Sequence, residues 1–151
     1  MTDVVLSVDV AAPAGTTWLA LTDWTRQGEW MLGTDVRIVE GNGRSVGSKL
    51  AAFTGYSGIG FTDTMEITTW EPPLRCGVAH QGKLVKGTGM FQVHAVGPNR
   101  STFTWAEYLT LPFGIVGKLG WPVARPVFTV GLRRSLRNFA RFAESYSVGQ
   151  P

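Results

Sequence analysis

Between Gly33 and Thr110 one strand-like run follows another, with short breaks at glycine and proline. This is the feature that most narrows what the chain can fold into. The runs lie at about 34–40, 47–55, 60–70, 74–81, 83–96 and 101–110, and the separators GNGRSVG, GYSGIG, EPP, QG and GPNRS all carry turn chemistry. Connections this short leave no room for a crossover, so the six runs read as an antiparallel meander. An earlier run at 3–10 places Val4, Leu6, Val8 and Val10 on one face, the period-two signature of a half-buried strand, and makes seven.

Helical signals sit on either side of the meander. Pro13 suits a helix start, and Trp18, Leu21 and Trp24 recur at three-residue spacing. A second short helical segment follows at about 24–31, with Thr22 and Asp23 as its cap pair. From Phe128 to Glu144, Phe128, Leu132, Ser135, Leu136, Phe139, Phe142 and Ala143 share one side at 100° per residue. Arg133, Arg134, Arg137, Arg141 and Glu144 share the other, as in an amphipathic helix of about five turns. Residues 111–127, LPFGIVGKLGWPVARPV, are apolar, but three prolines and three glycines argue against a long regular helix. They read instead as a lid or mouth-lining loop, with Leu111, Phe113, Ile115, Val116 and Trp121 as its apolar underside and a dimer contact as the alternative.

At 151 residues, with 44% hydrophobic and 17% charged side chains and no linker or repeat, the expectation is one domain over 1–151. Residues 1–71 carry nine acids against four bases, and residues 72–151 ten bases against two acids. The late arginines read as the solvated face of the last helix, with an acidic partner or anionic membrane surface as the alternative. Cys76 is the single cysteine, so no internal disulfide is possible. With no secretory signal and no apolar run long enough to span a membrane, the expected compartment is cytoplasmic.

The order of elements and three stretches, VDVAAPAGTTWLALTDWTRQGEW, WEPPLRCGVAHQG and LPFGIVGKLGWPVARPVFTVGLRRSLRNFARFAE, resemble the SRPBCC or START-like superfamily in its polyketide cyclase/dehydrase-type branch. That resemblance covers almost the whole chain. It implies an α+β helix-grip fold: a seven-stranded, strongly curved antiparallel sheet around a long C-terminal helix, with two short helices after the first strand and a ligand cavity between sheet and helix.

Strand parity then nominates the cavity lining. Phe61 and Met65 share a face with Asp63, and Val78 with His80. Phe103 and Trp105 share one with Glu107, and Tyr56 follows Leu50, Ala52 and Thr54. Phe91 on the sheet and Phe128, Leu132 and Ser135 on the helix complete the expected wall. Inward carboxylates are costly unless paired or protonated, so Asp63, His80 and Glu107 are the candidate acid/base residues, able to polarise a carbonyl or remove an acidic C–H proton.

Other chemistry finds little support. His80 and His94 are expected on opposite faces of the sheet, so no metal site is predicted. No P-loop, dinucleotide fingerprint or GxSxG elbow is present, and GTG at 87–89 reads as a sharp strand bend, so no cofactor is implied. Inward aromatics argue against nucleic acid. The leading expectation is a monomeric or homodimeric carrier for a hydrophobic small molecule such as a lipid, polyketide-like or aromatic compound. A cyclase or dehydratase and an interaction module using the arginine face are the alternatives.

Overall fold

Alternation drives the first strand, β1 (Thr2–Val10). Val4, Leu6 and Val10 are buried while Val5 is exposed between them. The computed structural model describes residues 2–83, 85–110 and 114–146, the side chains of 2 and 114–118 excepted. After β1 come α1 (Ala14–Leu21) and a 3-10 helix (Trp24–Glu29). The meander follows as β2 (Thr34–Glu40), β3 (Lys49–Tyr56), β4 (Ile59–Glu71), β5 (Arg75–Gln81), β6 (Lys86–Gly97) and β7 (Arg100–Thr110), and α2 (Gly114–Glu144) closes the chain.

Every neighbouring pair of strands is antiparallel, in the order β1-β7-β6-β5-β4-β3-β2, and the sheet is open, with β1 and β2 as its edges. The two short helices carry the chain from one edge to the other. Tight turns hold the register. Ser57 and Gly58, at φ 54° and 80°, form the two-residue connection of the β3–β4 hairpin, a turn that needs positive φ at both positions.

Local polar ties fix the helices to the sheet. The Thr17 hydroxyl lies 2.7 Å from that of Ser101, which donates to the carbonyl of Ala12, so the start of α1 is pinned to β7 inside the core. At the far end of α2, Tyr146 donates to Asp23 at 2.9 Å, and the Arg26 guanidinium stacks 4.8 Å from the Phe142 ring.

Along the second half of α2 the expected apolar stripe is buried: Ser135, Leu136, Phe139 and Ala143 face inward. The first half corrects the sequence expectation. Residues 114–127 are helical rather than a hinged loop, and both Pro122 and Pro126 lie inside the helix. The two prolines are exposed and four residues apart, hence on one side. The hydrogen bonds they remove fall on that solvent side, where water can take the freed carbonyls. Of the residues expected to form a lid, Leu111 and Phe113 lie outside the described residues, as do the side chains of Ile115 and Val116. Trp121 packs against Phe128, with ring centroids 5.8 Å apart.

Among the described residues, no helix is long and apolar enough to cross a membrane.

Candidate functional site

Between the concave face of the sheet and α2 lies a cavity of about 350 Å3. Its walls are mostly apolar. Leu50 and Ala52 come from β3, Phe61 and Met65 from β4, Cys76 and Val78 from β5, Phe91 from β6 and Trp105 from β7, with Phe128, Leu132 and Ser135 on the helix side. Trp24 stacks on Phe91 with centroids 6.3 Å apart. Burial pushes the Cys76 thiol up to about 12, so it stays protonated and acts as a small apolar group.

Two residues expected in the wall are elsewhere. Phe103 is fully buried beneath it, tilted against Phe139 at 4.8 Å and edge-on to Phe91 at 5.4 Å, and so belongs to the floor rather than the lining. Tyr56 is 88% exposed, because the last pair of the β3–β4 hairpin, Tyr56 opposite Ile59, runs past the part of the sheet that the helix covers. Parity assigns Phe103 its face but says nothing about depth, and at Tyr56 the alternation continues beyond the enclosed region.

The structure also brings in residues that strand parity did not select. Trp24, Gln27, Met31 and Leu32 come from the 3-10 helix and the turn after it, and Thr34 and Val36 from β2. Short irregular segments have no period to read, and the one available signal was the concentration of large side chains in WTRQGEWML.

Asp63, His80 and Glu107 meet in this wall. His80 Nδ1 is 2.8 Å from Asp63 Oδ2, and His80 Nε2 is 2.9 Å from Glu107 Oε2. The side chains are 6%, 11% and 12% exposed for His80, Asp63 and Glu107. Trp105 Nε1 donates to the remaining Glu107 oxygen at 2.9 Å. Asp63 reaches His80 from the adjacent strand, since Met65 is the residue opposite His80.

Glu107 is farther away, because β6 runs between β5 and β7. The contact is possible because β6 presents Gly87 opposite His80 and Gly89 opposite Glu107. A Cβ at Gly89 would stand 3.0 Å from both Glu107 oxygens. Gly87, at φ 122°, supplies the backbone freedom and Gly89 the room, so GTG is the passage that lets histidine and glutamate touch across a strand.

Burial alone would lower the His80 pKa. The hydrogen bonds from His80 to Asp63 and Glu107, together with their charges, outweigh burial and push it up to about 10. At neutral pH the ring is an imidazolium clamped between carboxylates. Such a ring has no lone pair with which to accept a proton, so His80 is not a ready base in this arrangement.

A model of the family described as polyketide cyclase/dehydrase and lipid transport matches residues 1–144. The chain belongs to that family. Its membership supports a hydrophobic-ligand-binding or cyclase role without deciding between them. No curated protein sequence matches the chain. Among solved structures, the Zhui aromatase/cyclase from a Streptomyces strain is similar at TM-score 0.74 and 18% identity over 99% of each chain. A START superfamily protein from Mycobacterium smegmatis is similar at TM-score 0.66 and 17% identity over 94% of each. Norcoclaurine synthase from Thalictrum flavum, solved with dopamine and hydroxybenzaldehyde, is similar at TM-score 0.68 and 16% identity over 97% of this chain and 88% of that one. At these identities the likeness is one of fold, the helix-grip fold expected above.

Proposed function

We propose that the protein is a binding or carrier protein for a hydrophobic small molecule held between the sheet and α2. The observation that carries this reading is the cavity of about 350 Å3 with its apolar wall. Protein interiors are packed to leave few voids larger than a water molecule, and each Å3 of unfilled apolar space costs about 24 cal/mol. A chain that keeps such a space open at the centre of its core keeps it for an occupant. Burying apolar ligand surface there contributes about 25 cal/mol per Å2 before the ordering costs of binding are subtracted.

The carrier reading is favoured over an enzyme by the resting state of the ionisable cluster. With both ring nitrogens engaged by carboxyl oxygens, His80 offers no free lone pair to act as a base.

One observation supports the second reading, a cyclase or dehydratase. Two carboxylates stand in an apolar wall where a proton on the carbon between two carbonyls would be brought to them, and either could take it in an aldol cyclisation.

The test is titration with 2-ethylnaphthalene, followed by quenching of the lining tryptophans Trp24 and Trp105. Saturable one-to-one binding that disappears in a folded Val78→Phe variant is expected. Absence of binding, or binding indifferent to Val78→Phe, contradicts the cavity reading. For the enzyme reading, Glu107→Gln should lower kcat on a poly-β-ketone thioester by orders of magnitude, and unchanged turnover would dismiss it.

A further inference from the structure

The charge on the cluster follows from counting protons, whatever the tautomer. Both ring nitrogens of His80 are within hydrogen-bond distance of a carboxylate oxygen. If both nitrogens carry hydrogen, an imidazolium faces two carboxylates. If one is bare, the carboxyl group beside it must carry the proton instead. Counting the two hydrogens that these contacts require, the three groups together hold one negative charge.

Nothing in the described residues offsets that charge. The only ion pairs that Asp63 and Glu107 make among them are with His80, and both side chains are close to nine-tenths buried. An uncompensated buried charge costs several kcal/mol, so a cation placed beside the cluster would be stabilised there.

The hydrogen-bonding inventory points the same way. The donors at this place are already committed: both His80 nitrogens face carboxylates, and the Trp105 N–H goes to Glu107. Of the unpartnered buried side-chain atoms among the described residues, the two on residues that line the cavity are acceptors. Asp63 Oδ1 is buried without a partner among the described residues, and so is Oε1 of Gln27, which also lines the cavity. A ligand carboxylate at this wall would meet the carboxyl groups of Asp63 and Glu107, whereas an N–H group could donate to them.

We propose that the ligand is a hydrophobic amine bound as its ammonium, with the apolar body against Met65, Val78 and Phe91 and the cation at Asp63 and Glu107. This rests on the cavity reading above and specifies its occupant. It disfavours fatty acids and other apolar anions, which would place like charges together in a medium of low dielectric.

The experiment compares three probes of one shape: 2-(2-naphthyl)ethylamine, 2-ethylnaphthalene and 2-naphthylacetate, titrated calorimetrically into the wild-type protein at neutral pH. The amine should bind about ten- to a hundredfold tighter than the hydrocarbon, the worth of a hydrogen bond to a charged group, and the carboxylate weakest. Glu107→Gln, and independently Asp63→Asn, each checked for folding by thermal melting, should shrink the amine's advantage and leave the hydrocarbon's affinity in place. Equal affinities for amine and hydrocarbon, or preference for the carboxylate, overturn the amine proposal with the cavity reading intact. Failure of all three probes removes the cavity reading itself, and this proposal with it.

Discussion

The aromatic floor beneath the cavity and the ionisable cluster in its wall are held together by opposite means. In the floor, Trp30 meets Phe139 edge-on at 4.9 Å, Phe139 meets Phe103 at 4.8 Å and Phe103 meets Phe91 at 5.4 Å, all through dispersion and apolar burial. In the cluster, Asp63, His80, Glu107 and Trp105 are joined end to end by hydrogen bonds of 2.8 to 2.9 Å, and charge has been carried into the interior at a desolvation cost. The floor is built for stability, and the cluster makes sense as recognition. A core designed only to fold would have had apolar residues at all three positions.

The sharpest test of that contrast removes one part from each region. Phe139→Ala, a fully buried ring, should cost about 3–5 kcal/mol in urea unfolding and leave the ranking of bound probes unchanged. His80→Leu should cost about as much, 3–5 kcal/mol at pH 7, because two carboxylates are left facing one another without their cation. The contrast breaks if replacing all three groups together, Asp63→Leu with His80→Leu and Glu107→Leu, is as damaging as His80→Leu alone. We expect the triple variant to recover most of the loss while losing discrimination between charged and neutral ligands.

A smaller effect tests the passage across β6. Gly89→Ala sets a methyl group 3.0 Å from both Glu107 oxygens and should cost about 1–3 kcal/mol, with the His80 proton released at lower pH than in the wild type, read by NMR titration.

The pH dependence of the wild-type protein's stability tests the same cluster without altering its side chains. The folded His80 holds its proton to about pH 10, against about 6.5 for the free side chain. Its contribution is therefore complete below pH 6.5 and is lost as pH rises to 10. Thermal melts of wild type and His80→Gln should converge over that window, and a constant gap would contradict the clamped imidazolium.

Much of this wall was legible in the residues. Strand parity turned Asp63, His80 and Glu107 inward because each alternates with apolar neighbours, and the turn residues set the strand limits to within a few positions. The mutual contact was not legible. Parity assigns a face but not the reach across an intervening strand, and glycines 87 and 89 looked like a bend when they are also a gap. The first turns of α2 were not legible because proline and glycine disfavour a helix in any sequence reading, whereas both prolines here lie on an exposed side where their missing hydrogen bonds are tolerated. Tyr56 shows the limit of alternation: it continues along a strand after the cover has ended.

The most direct test of the account is a methyl NMR titration of methionine-labelled protein with 2-ethylnaphthalene. Met31 and Met65 line the cavity, while Met90 does not and serves as an internal control. The account predicts that the Met31 and Met65 methyl signals shift together to saturation at one equivalent while Met90 stays in place. Saturable binding that leaves Met31 and Met65 unmoved would put the ligand elsewhere, on a surface such as the exposed Leu119, Val123 and Val130 of α2, and would contradict the cavity as the working part of this protein.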